Sequence, residues 1–169
     1  MKKQKTSAVS IRLAKFQDYK LLLKIYNAGV IRGYFNSTTP INSKDHIVWL
    51  KKQLKSNSKI YIGKNFNKKE FGYVRFDQIK NNLFYVSLGN LPNFYGKGLG
   101  SLMLEKSIKR FKKDYKSKKI IAVVKKSNNR SVKCFLKNGF LKVKFNKKKH
   151  FATNKFNSKK NYYFELKKI

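Results

Sequence analysis

The sequence predicts a single mixed α/β (α+β) domain with a mostly antiparallel sheet of about seven strands and about four helices. Three observations predict it. Short apolar segments of period two crowd the first half between close turns, as in an antiparallel meander. The second half alternates strand, helix, strand, helix, which implies one right-handed parallel crossover. The length, 169 residues with 41% apolar and 15% aromatic content, closes one core around a sheet and leaves no room for a second full domain. There are no internal repeats and no interdomain linker, so residues 1–169 read as one unit.

The elements follow in order. Val9-Ser10-Ile11-Arg12-Leu13 alternates as a strand. Leu22, Ile25 and Tyr26 share a face of a helix expected from about Asp18 to Val30. A loop from Gly33 to Pro40 carries Phe35-Asn36-Ser37. Ser43 is placed to cap a second helix, on which His46, Trp49, Leu50, Gln53 and Leu54 share a face. Ile60-Tyr61-Ile62, Phe71 to Phe76 and Leu83 to Leu88 form the meander, turned at Asn65-Phe66-Asn67 and Asn81-Asn82. A helix then runs to about Asp114 on the stripe Leu104, Ile108 and Phe111. Lys119 to Val124 is a buried strand by its continuous apolar run. Arg130 to Asn138 is a short helix, with Gly139 where a left-handed C-terminal cap belongs. Phe140 to Phe145 and Tyr162 to Leu166 are the last strands, joined by the basic segment Lys147 to Lys160.

Charge is the outstanding compositional feature: 42 Lys+Arg against 7 Asp+Glu, a formal net of +35. Only five of the cations are arginine, and Asn, Phe, Ile and Tyr run high beside Lys. That joint bias points to compositional drift, with some preference for anionic ligands layered on it. A reader of nucleic-acid sequence would use more arginine, because its planar fork suits bases and phosphates, so nucleic acid is expected only as a nonspecific electrostatic partner. The single cysteine, Cys134, excludes an internal disulfide and a cysteine-rich metal site, and no metal is expected. No apolar run approaches the ~20 residues of a membrane span, and no signal peptide is read, so the expected location is cytoplasmic.

The chemistry concentrates in Pro92-Asn93-Phe94-Tyr95-Gly96-Lys97-Gly98-Leu99-Gly100, between a strand and a helix. Closely spaced glycines turn successive amides toward a ligand, and the helix N-terminus behind them adds partial positive charge. Together they make a phosphate cradle, to which Lys97 adds a cation. A P-loop needs four residues between its first Gly and Gly-Lys-Ser/Thr, which is absent. The dinucleotide fingerprint needs Gly-x-Gly-x-x-Gly, an early strand and an acid about 20 positions on, also absent. NAD and ATP are disfavoured.

Asn128-Asn129-Arg130-Ser131 opens a short helix that ends Phe135-Leu136-Lys137-Asn138-Gly139-Phe140. With the glycine loop before it, this resembles the GCN5-related N-acetyltransferase (GNAT) superfamily. The resemblance covers about Leu83 to Phe145, and the strand and helix order fits the whole chain. It implies a sheet with a V-shaped opening near the strand before the glycine loop, and acetyl-CoA as acyl donor. By that resemblance Leu88 to Leu91 line the pantetheine, Tyr95, Gly96, Lys97, Gly98, Leu99, Gly100 and Ser101 hold the pyrophosphate, and Asn128 and Ser131 contact the far side of the cofactor. Two positions depart from the family pattern. Tyr95 stands where the family has Gln or Arg. Phe135, seven residues after Asn128 and still counted among the cofactor-facing positions, stands where the family often has a tyrosine as general acid. A CoA thiolate is a tolerable leaving group, since thiol pKa values lie near 8.5. Loss of the acid slows the reaction rather than forbidding it, or a tyrosine from Tyr95 or Tyr162-Tyr163 substitutes.

The implied reaction is attack of a neutral amine on the thioester carbonyl, which needs a base and an amide near Leu88 to polarise the carbonyl. Asp77, at the end of its strand, is read either as that base or as a turn residue before Asn81-Asn82. His46 is read either as a titrating group or as a packed histidine beside Trp49. Glu105 is read as a solvated or paired helix residue, and Cys134 as packing. A narrower resemblance, carried by Phe35-Asn36-Ser37, His46-x-x-Trp49 and Arg75-Phe76-Asp77, is to acetyltransferases of bacterial surface-sugar synthesis, including pseudaminic-acid-type pathways. It implies a small-molecule acceptor, the amine of a nucleotide-linked amino sugar, faced by Asn36, His46, Trp49, Arg75 and Asp77. Two other readings stand beside it: an acetyltransferase of protein N-termini of the ribosomal-protein type, and a basic nucleic-acid-binding module on a degenerate acetyltransferase scaffold. Either a monomer or a homodimer fits the sequence.

Overall fold

The computed structural model describes residues 9–35, 37–116, 118–144 and 159–167. In chain order the elements are β1 (Ser10–Leu13), α1 (Tyr19–Ile31), α2 (Ser43–Lys55), β2 (Lys59–Lys64), β3 (Glu70–Lys80), β4 (Leu83–Asn90), α3 (Leu99–Asp114), β5 (Lys119–Lys125), α4 (Asn129–Lys137), β6 (Phe140–Val143) and β7 (Asn161–Leu166). Short 3₁₀ turns precede α1 and α3. The strands form one sheet in the order β1-β2-β3-β4-β5-β7-β6. The seven strands and four helices match the expected mixed fold.

Among the described residues only β4 and β5 pair in parallel, with α3 as the crossover between them. Their ladder is short: Leu83 faces Lys119, Phe84 faces Ile120, Tyr85 faces Ile121, and pairing stops. Beyond that point β4 runs on to Asn90 held only by β3, while β5 turns to β7. The expected V-shaped opening is therefore present.

Strand alternation sorts side chains to the two faces of the sheet. Val74, Phe76 and Phe84 pack with Met103, Leu104, Ile108 and Phe111 of α3 into the larger core. Phe111 stacks on Phe76 at a centroid distance of 4.2 Å and meets Phe84 edge-on at 4.8 Å. On the opposite face Ile60, Ile62 and Tyr73 pack against Leu22, Ile25 and Leu50 of α1 and α2. One charged knot ties the start of the chain to the sheet. Arg12 donates to both oxygens of Asp18, at 2.8 and 2.6 Å, and to Glu70 at 2.6 Å.

Three expectations need correction. The cap of α2 is Asn42, whose Oδ1 accepts from the Asp45 amide at 2.9 Å, and Ser43 is the first helical residue. β3 does not end at Phe76 but continues to Lys80, because β4 offers a partner of matching length. Asp77 is thus a strand residue opposite Tyr85, and the turn reading falls. The expected strand from Phe140 stops at Val143 among the described residues; Phe145 and most of the basic segment lie outside them.

Phe111→Ala should lower stability by about 3–5 kcal/mol, because it empties the centre of a stacked aromatic cluster. Val48→Ala, at a side chain 69% exposed, should change it by less than about 0.5 kcal/mol. Urea unfolding of the two variants measures both.

Candidate active site

The glycine loop sits at the mouth of the opening. A 3₁₀ turn, Pro92–Phe94, leads out of β4, and Gly98 caps α3. Gly96 and Gly98 have φ of +75° and +72°, values that L side chains rarely adopt. A Cβ built on either would meet nothing within 4 Å, so the backbone is open on that side. This geometry suits a cradle: left-handed glycines with open space where a Cβ would stand, and a 16-residue helix behind.

A cleft of about 450 Å³ extends from this loop into the gap between β4 and β5. Val86, Ser87, Leu88, Gly89 and Asn90 form one wall, and Val123 and Val124 of β5 the other. Because β4 has no paired strand beyond Tyr85 on this side among the described residues, its backbone groups there face the cleft. Asn128, Ser131, Cys134 and Phe135 close it from α4, and Ile25, Gly29, Tyr34 and Phe35 from α1 and the loop after it.

The expected cofactor positions divide in two. Leu88, Tyr95, Gly96, Gly98, Gly100, Ser101, Asn128, Ser131 and Phe135 all line the cleft. Leu91, Lys97 and Leu99 do not. Leu91 packs against the α1–α2 side of the sheet and commits its amide to the Phe71 carbonyl at 2.7 Å. Leu99 is 5% exposed in the main core. The Lys97 ammonium lies over the Phe94 ring at 5.7 Å. Asn128 also serves its own helix, its Oδ1 accepting from the Ser131 amide at 3.1 Å. Ser101 Oγ accepts from Asn138 at 2.9 Å, which ties α3 to α4 beneath the loop. Phe135 is buried against Phe140 and Phe164 and has no proton to give. Of the tyrosines considered as substitutes, Tyr95 lines the cleft and Tyr162 and Tyr163 do not. Tyr34 and Tyr85, which sequence reading passed over, do. Burial keeps the phenols of Tyr95 and Tyr85 protonated above their ordinary range.

A second, smaller pocket of about 280 Å³ opens on the α1–α2 face. His46, Trp49 and Arg75 line it with Tyr26 and Tyr73. His46 stacks on Trp49 at 5.2 Å, and the Arg75 guanidinium lies over the same indole at 5.0 Å. Arg75 Nε approaches Asp77 Oδ2 at 2.8 Å. The sequence-predicted acceptor residues His46, Trp49, Arg75 and Asp77 are therefore brought together; Asn36 lies outside the described residues. Burial and the Arg75 charge push His46 below its ordinary pKa, against a hydrogen bond to the Tyr19 backbone. Burial raises Asp77 despite its cationic neighbour.

The pocket and the cleft are adjacent across one ladder. Tyr73 pairs with Gly89 and Arg75 with Ser87, one member of each pair lining each cavity. Adjacent strands lie about 4.8 Å apart. Of the buried polar atoms around this ladder, His46 Nε2 in the pocket, Ser87 Oγ and Asn90 Oδ1 in the cleft wall, and Asp77 Oδ1 have no hydrogen-bond partner among the described residues. Buried polar groups are normally satisfied. No group of His, Cys, Asp and Glu among the described residues could hold a metal ion.

The acetyltransferase (GNAT) family profile matches residues 28–140, and the chain belongs to that family. Solved structures agree on the fold. The ribosomal-protein-alanine N-acetyltransferase of Brucella melitensis superposes with a TM-score of 0.76 at 18% identity, over 92% of this chain and 98% of that one. The GNAT superfamily phosphinothricin acetyltransferase of Sinorhizobium meliloti, solved with acetyl-CoA, gives 0.75 at 18% identity, over 93% and 86%. An N-acetyltransferase of Staphylococcus aureus Mu50 gives 0.72 at 22% identity, over 95% and 98%. No curated protein sequence matches the chain.

Gly98→Ala should destabilise the fold by about 1–2 kcal/mol, because the helix cap must keep its left-handed backbone. Thermal unfolding of this variant beside Gly100→Ala separates the cost of strain from that of crowding, since a Cβ at Gly100 would meet Asn90 Nδ2 at 2.8 Å.

Proposed function

We propose that this acetyltransferase moves an acetyl group from acetyl-CoA to the primary amine of a small acceptor, and that the acceptor is a nucleotide-linked amino sugar handled in the cytoplasm. The observation that carries the acceptor site is the adjacency just described: a pocket in which the buried His46 Nε2 has no partner among the described residues, one strand away from the cleft. Its Trp49, Tyr26 and Tyr73 rings suit the apolar faces of a sugar. Its rim belongs to a chain of net charge +35, which draws in a diphosphate.

Acetyl-CoA supplies the activated thioester. The residues present fit it: the cradle of Gly96 and Gly98 takes the pyrophosphate on backbone amides, and the unpaired edge of β4 near Leu88 faces the pantetheine and the acyl oxygen. The acceptor's ammonium must lose a proton before its nitrogen can attack. His46, kept neutral by burial, takes that proton on Nε2. Asp77 pairs with Arg75, which lies over Trp49, and is the second candidate base. As the amide forms, the nitrogen would shed its second proton and the departing CoA thiolate would take one up from solvent, because Phe135 has no proton to give.

The deciding experiment is an acceptor panel read by thiol release: a nucleotide-linked 4-amino sugar, an alanyl peptide and phosphinothricin. The sugar nucleotide should be the fastest, and turnover with the peptide alone would transfer the assignment to protein N-termini. With the best acceptor, kcat/KM should fall along an acid limb lying below the ordinary histidine pKa of about 6.5. His46→Asn should remove that limb and lower kcat/KM about a hundredfold, with acetyl-CoA affinity unchanged.

A further inference from the structure

The chain holds five arginines among 42 basic residues. Where positive charge alone is wanted, lysine supplies it everywhere else, so each arginine position is informative. Three are engaged with carboxylates: Arg12 with Asp18 and Glu70, Arg75 with Asp77, and Arg110 with Asp114. The other two, Arg32 and Arg130, pair with no carboxylate among the described residues. Both act on the same phenol, that of Tyr95, and pull against the rise that burial causes there.

Their placement is specific. Arg32 follows α1, and its guanidinium lies 5.0 Å from the centre of the Tyr95 ring. Tyr34 meets that ring edge-on at 6.1 Å. Arg130 stands in the first turn of α4 and lines the cleft. Tyr95 itself opens the glycine loop. A guanidinium stacked on an aromatic face keeps its N–H fork free in its own plane. Arg32 holds such a fork beside the start of the glycine loop, and Arg130 lines the same cleft from α4.

We propose that Arg32 and Arg130 grip a phosphate of the acyl donor, with Tyr95 serving as the platform that orients Arg32. The Gln or Arg that the family has where Tyr95 stands is thereby replaced from two other elements. The assignment rests on acetyl-CoA as the donor. Bidentate arginine–phosphate contacts are the strong kind of charge-assisted hydrogen bond, and lysine does not reproduce them.

Isothermal titration with acetyl-CoA tests it without turnover. Arg32→Ala should raise Kd about tenfold, Arg32→Lys should recover only part of the loss, and Arg130→Ala should act in the same direction. Tyr95→Ala should cost as much as Arg32→Ala, and the two together little more than either, since one acts through the other. Lys52→Ala on α2 removes the same charge from an exposed site and should leave Kd within about twofold. Repeating the series with 3′-dephospho-CoA tells which phosphate is held. An Arg32 penalty that persists points to the pyrophosphate, and one that vanishes points to the 3′-phosphate. An Arg32→Ala chain that binds like Lys52→Ala overturns the proposal while leaving the donor intact. A wild-type chain giving no heat with acetyl-CoA overturns the donor reading and this proposal together.

Discussion

The brevity of one parallel ladder organises this molecule. β4 and β5 share three residue pairs and then separate. Had the pairing continued, β4 would be an interior strand with both edges bonded, and no cleft could enter the sheet. The separation survives because each strand has another partner along its free stretch: β4 is held by β3 as far as Gly72–Asn90, and β5 by β7 from Ile121 to Lys125. Beneath the fork, Phe76, Phe84 and Phe111 fill the space with stacked rings, so that the strands diverge from a solid base. The glycine loop, α4 and the α1 segment then find their places around a gap that the sheet itself creates.

Much of this was legible in the residues. Closely spaced glycines between a strand and a helix announce outward-facing amides, and Gly96 and Gly98 indeed have the positive φ this requires. The asparagine opening α4 and Gly139 closing it follow from local backbone chemistry, which needs no tertiary knowledge. Less legible was the direction of side chains within the loop. Lys97 and Leu99 are neighbours of cradle glycines, yet one lies on Phe94 and the other fills the core. A motif specifies backbone shape, whereas side-chain direction is decided by what lies nearby in space.

The polar end of β3 hid itself for a related reason. Asp77-Gln78-Ile79-Lys80 lacks strand character by propensity, and only the equal length of β4 holds it extended. Once extended, Asp77 shares a face with Arg75, two residues away, and pairs with that member of the pocket wall. Arg32 was equally invisible as a participant, because its contact with Tyr95 joins positions 63 residues apart. Scarcity was the available signal: an arginine retained in a chain so rich in lysine.

Cys134 gains a practical meaning from its surroundings. It is the chain's one cysteine and lines the cleft, yet burial pushes its thiol up to about 11. Near neutral pH almost none of it is thiolate, the form that attacks disulfide reagents and electrophiles. The protein should therefore be nearly silent toward the reagents used to count free CoA. It should also be a poor target for acylation by its own donor, although it lines the cleft proposed to take that donor.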